Sequence, residues 1–248
     1  MLRMAEVYFI LGAEGAGRRG VVRDLIEGGF ADDEVVVVAQ HASESDSTAT
    51  EQLEARASNR VLAYEELRHI QAPADAEAIF IIASGRGNPL DYLEAFGEWL
   101  QISGESLARI ITVVHCQLLH AQPKLELWHR ACIHFSDVVL LDRREGVPNK
   151  WFSDFKKPYE QDHYPCLFEL VKKGRVKNPA LILEPQPRRL SLAFDDDIDA
   201  IDLLDIDEDD LPEEPIDLTR PTDPWLVRLP SGHWEKHLPD IATFLDSE

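Results

Sequence analysis

Cysteine is scarce in this 248-residue chain: Cys116, Cys132 and Cys166 are the only three, odd in number and scattered. That excludes a disulfide framework and fits reduced thiols in a cytoplasmic protein. Long hydrophobic runs are missing too. No stretch approaches the roughly 18 apolar residues of a membrane span. Met1 to Glu6 leads straight into an apolar run with no signal-peptide pattern. Positive charge is also in short supply. There are 25 Lys and Arg against 46 Asp and Glu, for a formal net charge of −21. This argues against electrostatic binding to nucleic acid or to an anionic membrane. The deficit is concentrated: Leu190 to Thr219 holds 13 acidic residues and no Lys or Arg.

What is present begins with Glu6 to Gly29, EVYFILGAEGAGRRGVVRDLIEGG. Val7 to Leu11 reads as a buried strand, Gly12 to Gly17 as a glycine-rich turn, and the following stretch as a helix with Val21, Val22, Leu25 and Ile26 on one face. Gly28 and Gly29 suit the helix end. Strand, glycine-rich loop and helix in this order build a phosphate-binding loop, because backbone N–H groups and the helix N-terminus converge on an anion. Gly12 and Gly17 have the Walker A spacing G-x-x-x-x-G-K-[ST]. Arg18, however, stands in the lysine position and Arg19 in the Mg²⁺-binding hydroxyl position.

Further along, Glu34–Gln40, Ala78–Ala83, Arg109–Val114 and Asp137–Leu141 read as buried strands. Helices are expected at about Leu90–Gln101, Pro123–Phe135 and Gln161–Lys173, with a last strand at Ala180–Leu183. His41–Thr50 reads as a mobile loop. Glu51–His69 is helix-permissive, with Val61 and Leu62 as a candidate short strand. A second glycine-rich loop, Ser84–Pro89, follows the third strand. The alternation predicts an α/β fold: a three-layer, doubly wound, mostly parallel sheet of P-loop NTPase type, with an acidic C-terminal extension. The expected division is 1–187 for this domain, 188–220 for an acidic flexible segment, and 221–248 for a short tail packing on the domain or a partner. The acidic-hydrophobic segment reads as a spacer or as a docking peptide for an unidentified protein partner.

Five stretches in order resemble the CobW-type P-loop GTPases, the metallochaperone relatives of UreG and HypB. They are FILGAEGAGRR, then IIASGRGNP (Ile81–Pro89), ITVVHC (Ile111–Cys116), VVLLDRRE (Val138–Glu145) and KNPALIL (Lys177–Leu183). The resemblance implies a GTPase fold with nucleotide and Mg²⁺ as cofactors. It places candidate phosphate-binding residues at Gly12, Glu14, Gly15, Ala16, Gly17, Arg18 and Arg19, and a second loop at Ser84, Gly85 and Arg86. Base recognition falls on Asp142, Arg143 and Glu145, where the family has N-K-x-D. The departures are consistent. Ile82 stands in an acidic position, His115 replaces an aspartate, and the family's C-x-C-C metal motif and larger C-terminal domain have no counterpart.

These departures bear on chemistry. A positive charge about 4 Å from Mg²⁺ costs roughly 8 kcal/mol at an effective dielectric of 20, so Arg19 turns away or the metal does not bind. Arg18 keeps the charge of lysine but not its shape. The N–H groups of Glu14 to Arg18 remain as anion donors that need no side chain. The expectation is therefore a degenerate CobW-like P-loop protein, a non-hydrolysing nucleotide- or anion-binding or scaffold protein. GTP is the candidate nucleotide, Mg²⁺ is doubtful, and no catalytic or metal-ligating residue is assigned. The alternatives are a divergent GTP hydrolase, or a metallochaperone using His115, Cys116 and His120 or His129, Cys132 and His134. The bland reading of the arginine pair is two solvated first-turn residues. The bland reading of the His/Cys positions is core or surface.

Overall fold

The computed structural model describes residues 4–44, 47–71, 73–195 and 222–245. Seven strands form one sheet: β1 (Glu6–Leu11), β2 (Val36–His41), β3 (Asn59–Tyr64), β4 (Ala78–Ile82), β5 (Ser106–His115), β6 (Val138–Asp142) and β7 (Leu167–Leu170). Their order is β3-β2-β4-β1-β5-β6-β7 and every pairing is parallel. All five strands expected as buried lie in it.

The period of two sorts β1 cleanly. Val7, Phe9 and Leu11 enter the core on one face of the sheet; Tyr8 and Ile10 enter the core on the other. The second face is covered by α1 (Arg18–Gly29) and α7 (Pro179–Leu183), with Leu53 of α2 (Ser47–Glu54) in the same cluster. The first carries α3 (Pro89–Ser103), α4 (Cys116–Ala121), α5 (Glu126–His134) and α6 (Asn149–Gln161). Phe9 of β1 stacks on Phe96 of α3 with ring centroids 4.1 Å apart, binding strand to helix. Helices on both faces of a parallel sheet, with the glycine-rich loop leaving its central strand, make the three-layer P-loop NTPase-like α/β fold expected from the sequence.

Residues 222–245 also join the first face. Trp225, Trp234 and Ile241 are buried there. Arg228 pairs with Glu94 and lies over the Trp234 ring at 3.7 Å, while the Trp234 indole donates to Asp91 at 2.8 Å. The chain ends its described part with α8 (Ala242–Leu245). Most of the acidic extension, 196–221, lies outside the described residues. No described helix is long and apolar enough to cross a membrane.

Four local expectations are corrected. Glu51–His69 is not mainly helical: α2 ends at Glu54, and all of Asn59–Tyr64 is strand β3. β3 is an edge strand whose side chains, Tyr64 apart, are half-buried or exposed, so it lacks the apolar run that marks β2. Gln161–Lys173 is not a helix but a turn leading into the other edge strand, β7. The helix lies before it, as α6, whose Trp151, Phe152 and Phe155 are aromatic and only partly buried. Ala180–Leu183 belongs to helix α7, not to a strand. Pro179 opens that helix with its fixed φ, and the Asn178 side chain accepts from the Leu181 N–H at 3.4 Å. Within His41–Thr50, a 3-10 turn at Ala42–Glu44 and the start of α2 replace an open loop.

Candidate functional site

β1 ends at Leu11, and the chain turns through Gly12 and Gly15, at φ 136° and 77°, before α1 begins. Gly12 tolerates no side chain, because a Cβ there would fall 2.3 Å from the Val113 carbonyl oxygen. Gly17 is the N-cap of α1 at φ 89°, and no side chain caps the helix. The first-turn N–H groups thus keep the character of an open helix N-terminus.

The two arginines do not project into this opening. Arg18 is 5% exposed and turns inward. One terminal nitrogen donates to the carbonyl oxygen of Ala83, at the end of β4, and the other forms an ion pair with the Glu44 carboxylate. Burial pulls the Arg18 guanidinium below its usual pKa, while the Glu44 charge holds it up. Arg19 turns toward β2. Its Nε donates to the Gln40 side-chain oxygen at 3.1 Å, and its Nη2 lies 3.9 Å from Glu44. Of the two alternatives the charge argument left open, the side chain takes the first: it is directed away from the loop opening, toward Gln40 and Glu44.

Glu44 is the residue the sequence reading missed. It stands in the 3-10 turn after β2, with its side chain 2% exposed. One oxygen meets the arginines. The other accepts from the Ser84 hydroxyl at 3.2 Å and from the Gly85 N–H. A single buried carboxylate therefore ties the first glycine-rich loop to the second.

The loops also touch directly. The Glu14 N–H donates to the Gly85 carbonyl at 3.2 Å, and the Ala16 N–H to the Ala13 carbonyl at 3.2 Å. Two of the five N–H groups expected to receive an anion are thus committed internally. A Cβ on Gly85 would sit 2.2 Å from the Glu14 nitrogen. Glu14 pairs with Arg86 across the same seam.

The opposite wall comes from β5 and β6. Arg143, at φ 51°, donates from Nε to the Gly15 carbonyl at 3.0 Å, and Asp142 accepts the Arg143 N–H at 2.7 Å. The free oxygen of Asp142 lies 2.3 Å from where a Gly17 Cβ would be. Asp142 and Arg143 therefore brace the first glycine-rich loop. Glu145 is exposed, and its carbonyl accepts from Gln117 at 2.7 Å. His115 caps α4 by accepting the Leu118 N–H at 3.2 Å, with its ring against Gly15. Burial and the Arg143 charge push its pKa down. Ile82, 2% exposed, is core.

Among the described residues no group of three or more His, Cys, Asp or Glu is placed to hold a metal. His129 is fully buried with Nδ1 at 3.0 Å from the Leu125 carbonyl, and burial pushes the Cys116 thiol up to about 12. A cleft of about 370 Å³ lies beside the loops, lined by Tyr64, Glu66, Gly87, Asn88 and Tyr92, and none of Gly12–Arg19 lines it.

No protein-family model matches the chain, and no curated protein does. Solved structures are similar to it at low identity. Zn(II)-bound YjiA GTPase from E. coli is 13% identical over 75% of this chain and 67% of that one, with a TM-score of 0.42. A Zn(II)-bound triple mutant of YjiA GTPase is 14% identical over 78% and 69%, with a TM-score of 0.45. The cell division protein FtsY from Thermotoga maritima is 16% identical over 72% and 67%, with a TM-score of 0.47.

Proposed function

We propose that this chain is a degenerate, CobW-like P-loop protein that works by binding, as a nucleotide- or anion-binding or scaffold protein, and does not hydrolyse GTP. The observation that carries the reading is the inward turn of Arg18. Phosphoryl transfer asks the protein to place a cation on the β- and γ-phosphates and to hold Mg²⁺ beside them. Here the loop's cation is spent on Glu44 and the Ala83 carbonyl. The metal-hydroxyl position carries a second cation, Arg19, committed to Gln40. Ile82 offers no carboxylate, and His115 is occupied as a helix cap. Anion binding is a separate matter. It needs N–H groups and a helix N-terminus, and the uncapped start of α1 supplies them.

The test is GTP hydrolysis in excess Mg²⁺ by wild type and by Arg18→Ala. We expect turnover by neither. Turnover by the wild type that Arg18→Ala abolishes would overturn the reading, because Arg18 would then be a working phosphate cation. Binding of GTP measured with and without Mg²⁺ completes the comparison. The metal should leave the affinity unchanged.

A further inference from the structure

We propose that Glu44 is a resident stand-in for the loop's ligand, so that a phosphate-class oxyanion reaches Arg18 only by exchanging with the Glu44 carboxylate. This rests on the reading that the loop still binds anions. The argument starts from what surrounds the carboxylate. Glu44 receives a guanidinium ion pair from Arg18, a second cation at 3.9 Å from Arg19, a hydroxyl donor from Ser84 and a backbone N–H from Gly85. Cations, a hydroxyl and a main-chain N–H are the donor set of an oxyanion site. The carboxylate reaches them from the turn after β2, while Arg18 belongs to the first turn of α1, next to the open helix N-terminus. Arg18 is the group shared by the internal carboxylate and any anion held at that N-terminus.

Exchange has a geometric consequence. Gly85 is held from both sides, by its N–H to Glu44 and by its carbonyl to the Glu14 N–H. An anion that takes Arg18 away from Glu44 loosens the grip on Ser84 and Gly85, so binding at the first loop is transmitted to the second. The ligand class is an oxyanion able to replace a carboxylate against a guanidinium: inorganic phosphate or the phosphate end of a nucleotide. The measurable signature is a penalty on affinity, because only the fraction of molecules with Arg18 released binds.

The probes are inorganic phosphate and GTP, titrated calorimetrically into wild type, Glu44→Gln and Glu44→Gln with Arg18→Met. Gln keeps the volume and a donor-accepting oxygen but not the charge. Glu44→Gln should bind at least one probe about tenfold or more tightly than wild type, and adding Arg18→Met should remove the gain. Phosphate alone gaining affinity identifies a free oxyanion as the ligand; GTP alone gaining it identifies a nucleotide. Equal affinity in wild type and Glu44→Gln overturns the exchange while leaving the anion-binding reading intact. Absence of any binding in both overturns the exchange and the anion-binding reading together. Should Glu44→Gln fail to fold, amide exchange in the wild type decides. Saturating phosphate should speed exchange of the Gly85 N–H severalfold, and an unchanged rate at saturation overturns the proposal.

Discussion

Asp137 is fully buried at the start of β6, where it joins three pieces of chain. Its carboxylate accepts the Ile110 N–H of β5 at 2.7 Å and the Arg188 N–H at 2.6 Å, and meets the Arg189 guanidinium at 3.2 and 3.1 Å. The Arg189 side chain is itself only 3% exposed. Asp137→Ala strips one buried and one half-buried N–H of their acceptor and, among the described residues, leaves Arg189 with Asp195 as its counter-charge. Removing one partner of a buried ion pair costs about 3–5 kcal/mol. Against a total stability of about 5–15 kcal/mol, that is a large share. A domain of this size loses about 2–4 °C of melting temperature per kcal/mol, so the expected drop is about 6–20 °C. Circular dichroism at pH 7 measures it. The control is Arg60→Ala, which breaks the exposed Arg60–Asp75 pair; such pairs are worth about 0.2–1 kcal/mol. If Asp137→Ala lowers the melting temperature no more than Arg60→Ala does, the weight given to burial is wrong. The double variant Asp137→Ala with Arg189→Leu should lose less than the sum of the two single changes, because it no longer strands a buried charge.

Three further outcomes follow from single sites. Burial pushes His129 down to about 4, so the unfolded chain, near 6.5, binds more protons between those values. Stability should therefore fall as pH drops from about 6.5 to 4, by about 2 kcal/mol at pH 5; denaturant melts at pH 7 and 5 check this, and His129→Gln should flatten the difference. Gly85→Ala forces a methyl to within 2.2 Å of the Glu14 nitrogen and should cost about 1–3 kcal/mol as the two loops separate, whereas Gly20→Ala meets nothing within 4 Å and should be stabilising or neutral in a thermal melt. Arg228→Ala removes the pairing with Glu94 and the contact with the Trp234 ring, which should cost about 1 kcal/mol and shift tryptophan fluorescence to longer wavelength; an unchanged spectrum would mean that core packing and Asp91 hold this ring without Arg228.

Most of the sheet was legible in the sequence because its inner strands are buried on both faces. β1, β2, β4, β5 and β6 read as continuous apolar runs, and the glycines of the loop and the 3.6 period of α1 announced themselves. The two edge strands were not legible. Apart from the buried Tyr64, β3 and β7 carry half-buried or exposed side chains, so no run of Val and Ile marks them. α6 hid behind its aromatics, which favour strands by propensity, and behind a Pro148 N-cap position without a capping side chain. At the site, the positions of Arg18, Arg19, Gly85, Asp142 and Arg143 could be read, but not their partners. Glu44 lay in a Ser-, Thr- and Asp-rich stretch that composition assigns to a loop. The signal available was electrostatic: two adjacent arginines at the start of an apolar-faced helix need a nearby carboxylate, and Glu44 closely follows the buried strand β2.

The joint burial of Arg18 and Glu44 also constrains descent. Glu44 replaced alone by a neutral residue leaves the buried Arg18 with no counter-charge, a change that costs several kcal/mol, while Arg18 replaced alone leaves the Glu44 carboxylate with Arg19 at 3.9 Å. The two positions are thus epistatically coupled, and a route that begins at Glu44 meets a stability valley between the present pair and an uncharged one. Gly85 narrows the route further, since any side chain there collides with the Glu14 and Ala13 backbone and with Arg18. The loop's interior is thus less open to single-step change than its surface on grounds of stability alone.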